Sequence, residues 1–477
     1  MAGNFSRRDF LKTVGAGAAA LTLARCGSSM TGAKTARADL QPNIIFVLAD
    51  DLGYGDVGCY GQKTIRTPHI DRLAAEGMRF TDHYAGSTVC APSRCSLMTG
   101  LHTGHTYVRG NREIQPMGQL PLPADTMTLP RMLKQAGYTT ALIGKWGLGG
   151  PNSTGTPNNQ GFDYFFGYLC QRHAHNYYPE FLFRNDQRVH LRNKVAGDRR
   201  DGAGVATEKV DYSYDLMAAE ALKFVEENRA GPFFLYLAIT IPHANNEAGR
   251  KGMEVPDYGI YANKDWPEAQ KGHAAMIGRL DRDMGRLMRK LKELGIDDNT
   301  VVFFTSDNGP HREGGADPNY FDSNGPLRGI KRDLYEGGIR VPLIARWPGR
   351  IAAGTTSDHV SAFWDFLPTF ATLGGTKPPK NTDGLCVVPT LLSIPNKQKE
   401  HEFLYWEFHE RGSKQAVRMG PWKAFRSGAS GKLELYDLET DLGETNDVAD
   451  LHPDVVAKIE GYLTNARTES EFWPVKG

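Results

Sequence analysis

The sequence predicts an α/β fold, on three observations: apolar runs suited to strands covered on both faces, helical patterns spaced between them, and polar residues where the runs stop. The first run, Asn43 to Ala49 (NIIFVLA), is continuously apolar and ends in Asp50-Asp51. Thr300 to Thr305 (TVVFFT) is a second such run and ends in Ser306-Asp307-Asn308-Gly309. Tyr138 to Gly144 and Phe233 to Ile241 are two more, ending at Lys145 and leading to His243. Helical patterns are expected over Ile70–Glu76, Leu129–Ala136, Tyr214–Asn228 and His273–Leu294, the last with apolar residues about 3.6 apart. Strand and helix alternation of this kind gives a sheet whose ligands bind beyond the carboxyl ends of its strands.

With 477 residues the chain can hold a large domain and a smaller one. Lys and Arg number 56 against 55 Asp and Glu, so a strongly basic nucleic-acid binder is excluded as the default and no nucleic-acid partner is expected. The six cysteines are too sparse for a disulfide scaffold, and none forms a C-x-x-C pair. Ser6 to Lys12 (SRRDFLK) reads as a twin-arginine export consensus, followed by an apolar stretch, Val14 to Ala24, too short to span a membrane. Two processing readings compete. Ala36-Arg37-Ala38 is a small-x-small cleavage site and the preferred one, while Leu23 to Cys26 resembles a lipobox with Arg25 at a position that expects a small residue. The expected organisation is a signal peptide over 1–38, a large domain over 39–395 and a small domain over 396–477. The expected location is periplasmic or secreted, with a lipid tether at Cys26 as the alternative.

Asp50, Asp51, Asp307 and Asn308 offer the hard oxygen ligands that hold Ca²⁺ or Mg²⁺, and Lys145 and His243 add donors for an anion bound beside them. Cys90 to Gly100 (CAPSRCSLMTG) forms the third element of the site. Pro92 suits a first helical turn and Gly100 a helix end, so Cys90 is expected at a helix N-terminus where the dipole favours an anion. In isolation that placement makes Cys90 a candidate thiolate. Its spacing to Arg94 is too short for a Cys-x5-Arg phosphate loop.

The Cys90–Gly100 segment resembles the C-x-P-S-R-x-x-x-[LM]-T-G signature of the type I sulfatases, in which the cysteine is oxidised to formylglycine. Further segments carry the resemblance along most of the chain: Ala49 to Gly53, Thr67 to Ala74, Gly144-Lys145-Trp146, Ser306 to Gly309, Leu327 to Lys331, Tyr335 to Pro342 and Leu435 to Leu438. The resemblance implies an alkaline-phosphatase-like fold: a large mixed sheet flanked by helices, plus a small C-terminal α+β domain with an antiparallel sheet. Lys377 to Lys380 and Ile394 to Asn396 read as linker, and Phe403 to Phe408 as the first strand of the small domain.

The resemblance also implies roles. Asp50, Asp51, Asp307 and Asn308 would hold Ca²⁺, with Mg²⁺ the lesser alternative, together with the modified Cys90. The hydrated aldehyde is a geminal diol: one hydroxyl attacks sulfur, and the other expels sulfate by restoring the aldehyde. Arg94, Lys145, His243 and Lys331 would complete the catalytic set, offsetting charge and protonating the leaving oxygen. Ser93 belongs chiefly to the maturation motif. The implied partners are a sulfated carbohydrate or aryl sulfate substrate, a formylglycine-generating enzyme or maturase, and the Tat export machinery. Phosphoester or phosphonate-ester hydrolysis is the alternative within the fold, and a sulfated-glycan binding module is the alternative if Cys90 stays unconverted.

One position departs from the family pattern. Where the family reads G-K-W-H-L-G, this chain has Gly147 in place of the histidine that assists release of sulfate. His173 and His175, with Arg172 in the same polar run Cys170 to Tyr178, are expected to replace it or to bind substrate. His409 and Arg411, following the strand Tyr405 to Phe408, are expected to reach the pocket from the small domain.

Overall fold

A computed structural model describes residues 41–197, 201–410 and 412–476. The export signal, Cys26, Ala38 and Arg411 lie outside the described residues. Ten strands form one large sheet: β1 (Asn43–Asp50), β2 (Met78–Phe80), β3 (Thr139–Lys145), β4 (Tyr164–Tyr168), β5 (Phe181–Arg184), β6 (Gln187–His190), β7 (Phe233–Pro242), β8 (Thr300–Ser306), β9 (Leu343–Arg346) and β10 (Thr355–Ser357). Their spatial order is β10-β2-β9-β8-β1-β7-β3-β4-β5-β6. The five central strands, β8-β1-β7-β3-β4, run parallel. Antiparallel pairing begins outside them, at β9 and β5, so the sheet is mixed.

The four expected strands are the buried centre of this sheet, where a continuous apolar run is required because both faces are covered. All eight residues of β1 are buried. Its odd-numbered side chains, Ile45 and Val47, join the core formed with α1 (Pro68–Ala75), α5 (Ser213–Glu227) and α6 (Glu268–Glu293). Phe46 points the other way and meets Phe366 and Phe370 of α7 (Phe366–Leu373) edge-on. The same side carries α2 (Cys90–Thr99) and α3 (Leu129–Gln135). The short edge strands were not expected, because segments such as Gln187–His190 are polar and lack a two-residue period. Helix α6 starts five residues before the expected His273. Its first turn buries Gln270 and Gly272, which apolar periodicity does not register.

A second sheet of four antiparallel strands follows: β11 (Leu404–Phe408), β12 (Lys414–Met419), β13 (Trp422–Ser427) and β14 (Leu433–Asp437). One face, with Leu404, Trp406, Phe408 and Ala416, packs on Tyr84, Val89 and Trp364. The opposite face, with Tyr405, Val417, Ala424 and Leu435, packs on Ile459 and Leu463 of α8 (Pro453–Asn465). Helix α2 therefore lies between the large sheet and the edge of the small one, and all ten of its residues are buried.

Glu407 ties this sheet to the chain that leaves α2. Buried within β11, it accepts from Arg109 at 2.8 Å, Arg467 at 2.9 Å and Tyr405 at 2.9 Å, and pairs with His409 at 2.9 Å. Burial alone would raise its pKa. His409, Arg109 and Arg467 instead hold it down to about 2, against an ordinary 4.5. A carboxylate whose folded pKa is depressed adds stability above its unfolded pKa and loses it as pH falls through the folded value. Glu407→Gln is therefore expected to destabilise the protein by about 3 kcal/mol at pH 7 by stranding two buried guanidinium groups. In denaturant titrations the gap to the parent should close as pH falls from 5 towards 2; a gap independent of pH would refute the charge argument.

Candidate active site

Strands β1, β8, β7 and β3 deliver their terminal residues to one edge of the sheet. Asp50 ends β1, and Asp51 follows in a left-handed conformation at φ +64. Successive strand residues point to opposite faces. The left-handed turn lets two adjacent carboxylates face one place, at a backbone strain that Asp tolerates better than most residues. Asp307 and Asn308 follow β8, and the Asp307 N–H donates to the Ala49 carbonyl at 3.1 Å. Asp51 N–H donates to Asp307 Oδ1 at 3.2 Å, and Asn308 Nδ2 donates to Asp51 Oδ1 at 2.7 Å.

Cys90 is the first residue of α2, as expected, and Gly100 closes that helix at φ +68 with its N–H on the Ser96 carbonyl. Cys90 Sγ lies 3.5 Å from Asp50 Oδ1 and 3.2 Å from Lys145 Nζ. Lys145 Nζ also donates to Asp50 Oδ2 at 2.7 Å. Arg94, one turn along α2 and fully buried, donates to Asp307 Oδ2 at 2.8 Å and to the Lys145 carbonyl at 2.6 Å. Ser93 Oγ donates to the Asp307 carbonyl at 2.6 Å, so both Ser93 and Arg94 lock α2 to the strand ends. Lys331 Nζ donates to Asp51 Oδ2 at 2.8 Å and to His243 Nε2 at 3.0 Å. His243 Nδ1 donates to the Ala244 carbonyl at 2.7 Å, which fixes the tautomer with a lone pair on Nε2.

These contacts set the charges. Burial opposes ionisation of Asp50 and Asp51, yet Lys145 acting on the first and Lys331 on the second hold both well below the usual carboxylate range. Asp307 goes the other way, pushed up to about 7 by burial and by Asp50 despite Arg94. Lys145 and Lys331 stay charged, with pKa values above the ordinary lysine because of their carboxylate partners. His243 is pushed down to about 3 by burial and by Lys331, so it is neutral. Burial and Asp50 raise the Cys90 thiol above its ordinary value. The structure thereby corrects the thiolate expectation: the helix N-terminus does not overcome a dry site with a carboxylate at 3.5 Å.

The donor set fits a hard divalent cation. Asp50, Asp51, Cys90 and His243 each bring a ligand atom within 4.8 Å of one another. Asn308 Oδ1, beside them, is buried and has no hydrogen-bond partner. An unpartnered carbonyl oxygen among three buried carboxylates is a donor set that fits a hard cation, and oxygen donors of this kind suit Ca²⁺ or Mg²⁺.

The remaining expected residues separate. His175 Nδ1 pairs with Glu247 Oε2 at 3.1 Å, and its ring stacks on His243 with centroids 4.9 Å apart, so it borders the site. Arg172 bridges Asp201 at 3.2 Å and Glu247 at 3.4 Å beside it. His173 turns away. It is fully buried, bonded to the Phe181 carbonyl at 3.0 Å and packed between Tyr168 and Phe181, because the helical turn α4 (Gln171–His175) points adjacent residues in different directions. His409 faces Glu407 and Trp473 rather than the Cys90 cluster. Sequence reading missed Glu313, which accepts from Lys331 at 3.2 Å and from Arg332 at 2.6 Å, and His311, which stacks on His243. The polar run continuing past Gly309 was the available signal.

Comparison with known proteins places this geometry. A family model described as Sulfatase matches residues 42–376, one described as N-sulphoglucosamine sulphohydrolase, C-terminal, matches 329–469, and a twin-arginine translocation signal matches 4–24. The N-acetylgalactosamine-6-sulfatase of Mus musculus is 34% identical over 87% of this chain and 77% of its own length. Arylsulfatase A of Homo sapiens is 32% identical over 88% of this chain and 86% of its own. The solved structure of Ps i-CgsB in complex with k-i-k-neocarrahexaose superposes with a TM-score of 0.73 at 30% identity, over 88% of this chain and 92% of that one. With the matched family model spanning both core strand ends, Cys90 and Lys331, the chain belongs to the sulfatase family and is a sulfuric ester hydrolase.

Proposed function

We propose that this protein is an exported, calcium-dependent sulfatase that hydrolyses a sulfate ester on a sulfated glycan, with Cys90 converted to formylglycine by a maturing enzyme. The observation that carries the reading is the position of Cys90: first residue of a buried helix, 3.2 Å from Lys145 and 3.5 Å from Asp50, beside the orphan Asn308 oxygen. The activity named for N-acetylgalactosamine-6-sulfatase and the oligosaccharide in Ps i-CgsB support a glycan, and the twin-arginine signal supports export to the periplasm or beyond.

Asp50, Asp51, Asp307 and Asn308 would hold the cation, which when bound supplies positive charge to the sulfate oxygens. The formylglycine hydrate supplies two hydroxyls on one carbon, one to attack sulfur and one to release the product. Arg94 carries out neither step. Its two terminal nitrogens bond to Asp307 and the Lys145 carbonyl, so it fixes the ligand geometry and offsets the buried charge. Lys145 Nζ lies against both Asp50 and residue 90, where it neutralises charge developing on the nucleophile. Lys331 donates its Nζ proton to the lone pair of neutral His243 Nε2, so the pair's proton rests on Lys331, which is the source for the leaving alcohol. His175, paired with Glu247, is placed to serve the release step in place of the histidine absent at 147.

Peptide mass spectrometry of protein expressed with a formylglycine-generating enzyme should show loss of thiol mass at Cys90, and such protein should hydrolyse an aryl sulfate faster than the matching aryl phosphate. Full activity with an unmodified Cys90, or faster phosphate hydrolysis, contradicts the reading. Asp307→Ala should lose bound calcium in metal analysis and reduce kcat at least a hundredfold, on the order expected when buried charge balance at a reacting centre is broken; stoichiometric calcium in that variant would show the ligand set to be wrong. His175→Ala should leave the first chemical step intact and slow the second by about 10²–10⁴, giving a burst of alcohol and a trapped sulfated enzyme. A higher KM with no burst would assign His175 to sugar recognition. His173→Ala should reduce stability without a burst.

A further inference from the structure

Gly147 lies at φ +86, a backbone conformation that favours glycine. A Cβ built there would overlap Gln171 Nε2 and crowd Gln171 Cδ. The Gln171 carboxamide therefore fills the space beside position 147. Gln171 is 6% exposed, and neither its Oε1 nor its Nε2 has a hydrogen-bond partner. Both polar ends of one buried amide left unsatisfied is an unfavourable arrangement that native structures rarely keep without a reason.

The surroundings aim this amide at the sulfate site. Gln171 opens α4 three residues after β4 ends at Tyr168, and Tyr168 pairs in register with Lys145. It thus stands at the carboxyl edge of the sheet, beside the strand that brings Lys145 to Cys90. His175 follows four residues later, on the same helix face. Its ring stacks on His243, whose Nε2 accepts from Lys331. One face of α4 therefore carries Gln171, beside Gly147, which is itself two residues beyond Lys145 in the chain, and His175, against the His243–Lys331 pair.

We propose that Gln171 takes the place of the absent histidine as a contact to the bound ester, its Nε2 donating a hydrogen bond to a sulfate oxygen. The proposal rests on the sulfatase reading. A carboxamide donates but does not exchange its proton near neutral pH. In this chain anion contact and proton transfer, which one imidazole could combine, are divided between Gln171 and a separate titrating group.

The test uses matured, calcium-loaded protein, with inorganic sulfate as the probe, read as competitive inhibition of aryl-sulfate hydrolysis and as a shift in thermal midpoint. Gln171→Met keeps the shape of the side chain and removes both unpaired polar atoms. It should weaken sulfate inhibition and raise KM by about ten- to a hundredfold, the range for a hydrogen bond to a charged group. The midpoint without sulfate should be unchanged or higher, because an unsatisfied buried amide has been removed. Gln171→Glu should weaken sulfate binding further, since it sets a carboxylate against an anion. Unchanged sulfate affinity in Gln171→Met overturns the proposal, whether or not the midpoint falls, and so does sulfate binding in Gln171→Glu as tight as in the parent. Failure of the two readings is distinguishable: parent protein that hydrolyses no sulfate ester refutes the sulfatase reading, whereas an active parent indistinguishable from Gln171→Met refutes only the role of Gln171.

Discussion

Charge balance among buried side chains is the constraint on which this structure depends. Asp50, Asp51 and Asp307 are fully buried together with Arg94, Lys145 and Lys331. An ion moved from water into such a place loses several kcal/mol of solvation, recovered only through close partners of opposite sign. The short contacts follow from this, and so does the split among the acids, where two stay ionised and Asp307 is pushed up to about 7.

The fold exists around that balance. Parallel strands bring their carboxyl ends to one edge, and the neighbours β7 and β3 lead off in opposite directions, β7 to β8 and β3 to β4, the crevice position for ligands in such sheets. Helix α2 carries Cys90 and Arg94 into this crevice because Ser93 and Arg94 bond it to Asp307 and the Lys145 carbonyl, while Glu407 of the small sheet anchors the loop beyond. The packing excludes water, which makes the charges strong. The rim is different in character. Arg172 with Asp201 and Glu247, and Arg332 with Glu313 and Glu410, are partly exposed ion pairs, which adjust to a polar ligand at little energetic cost.

Legibility in the sequence follows the same division. β1, β7, β3 and β8 were readable because a strand covered on both faces must be apolar throughout, and the abrupt change to Asp50-Asp51, Lys145 and Asp307-Asn308 marked the sheet edge. The Cys90–Gly100 segment was readable because a helix start, a helix stop and a reactive residue coincide within it. The edge strands escaped notice since their burial comes from neighbours distant in sequence. His173 and His175 looked equivalent, two residues apart in one polar run. A five-residue helix sends one into an aromatic core and sets the other on His243.

The sequence alone therefore determined the class of fold, the central strands, the helix that starts at Cys90 and the residue types of the candidate site, because these rest on local periodicity and on short motifs. Only the tertiary structure decided which histidine borders the site, that Glu313 and Glu247 steady the lysine and histidine above it, and that Gln171 fills the space at Gly147. Each of these depends on burial and on partners tens to hundreds of residues away, and burial acts on charge through solvation, which no run of neighbouring residues records.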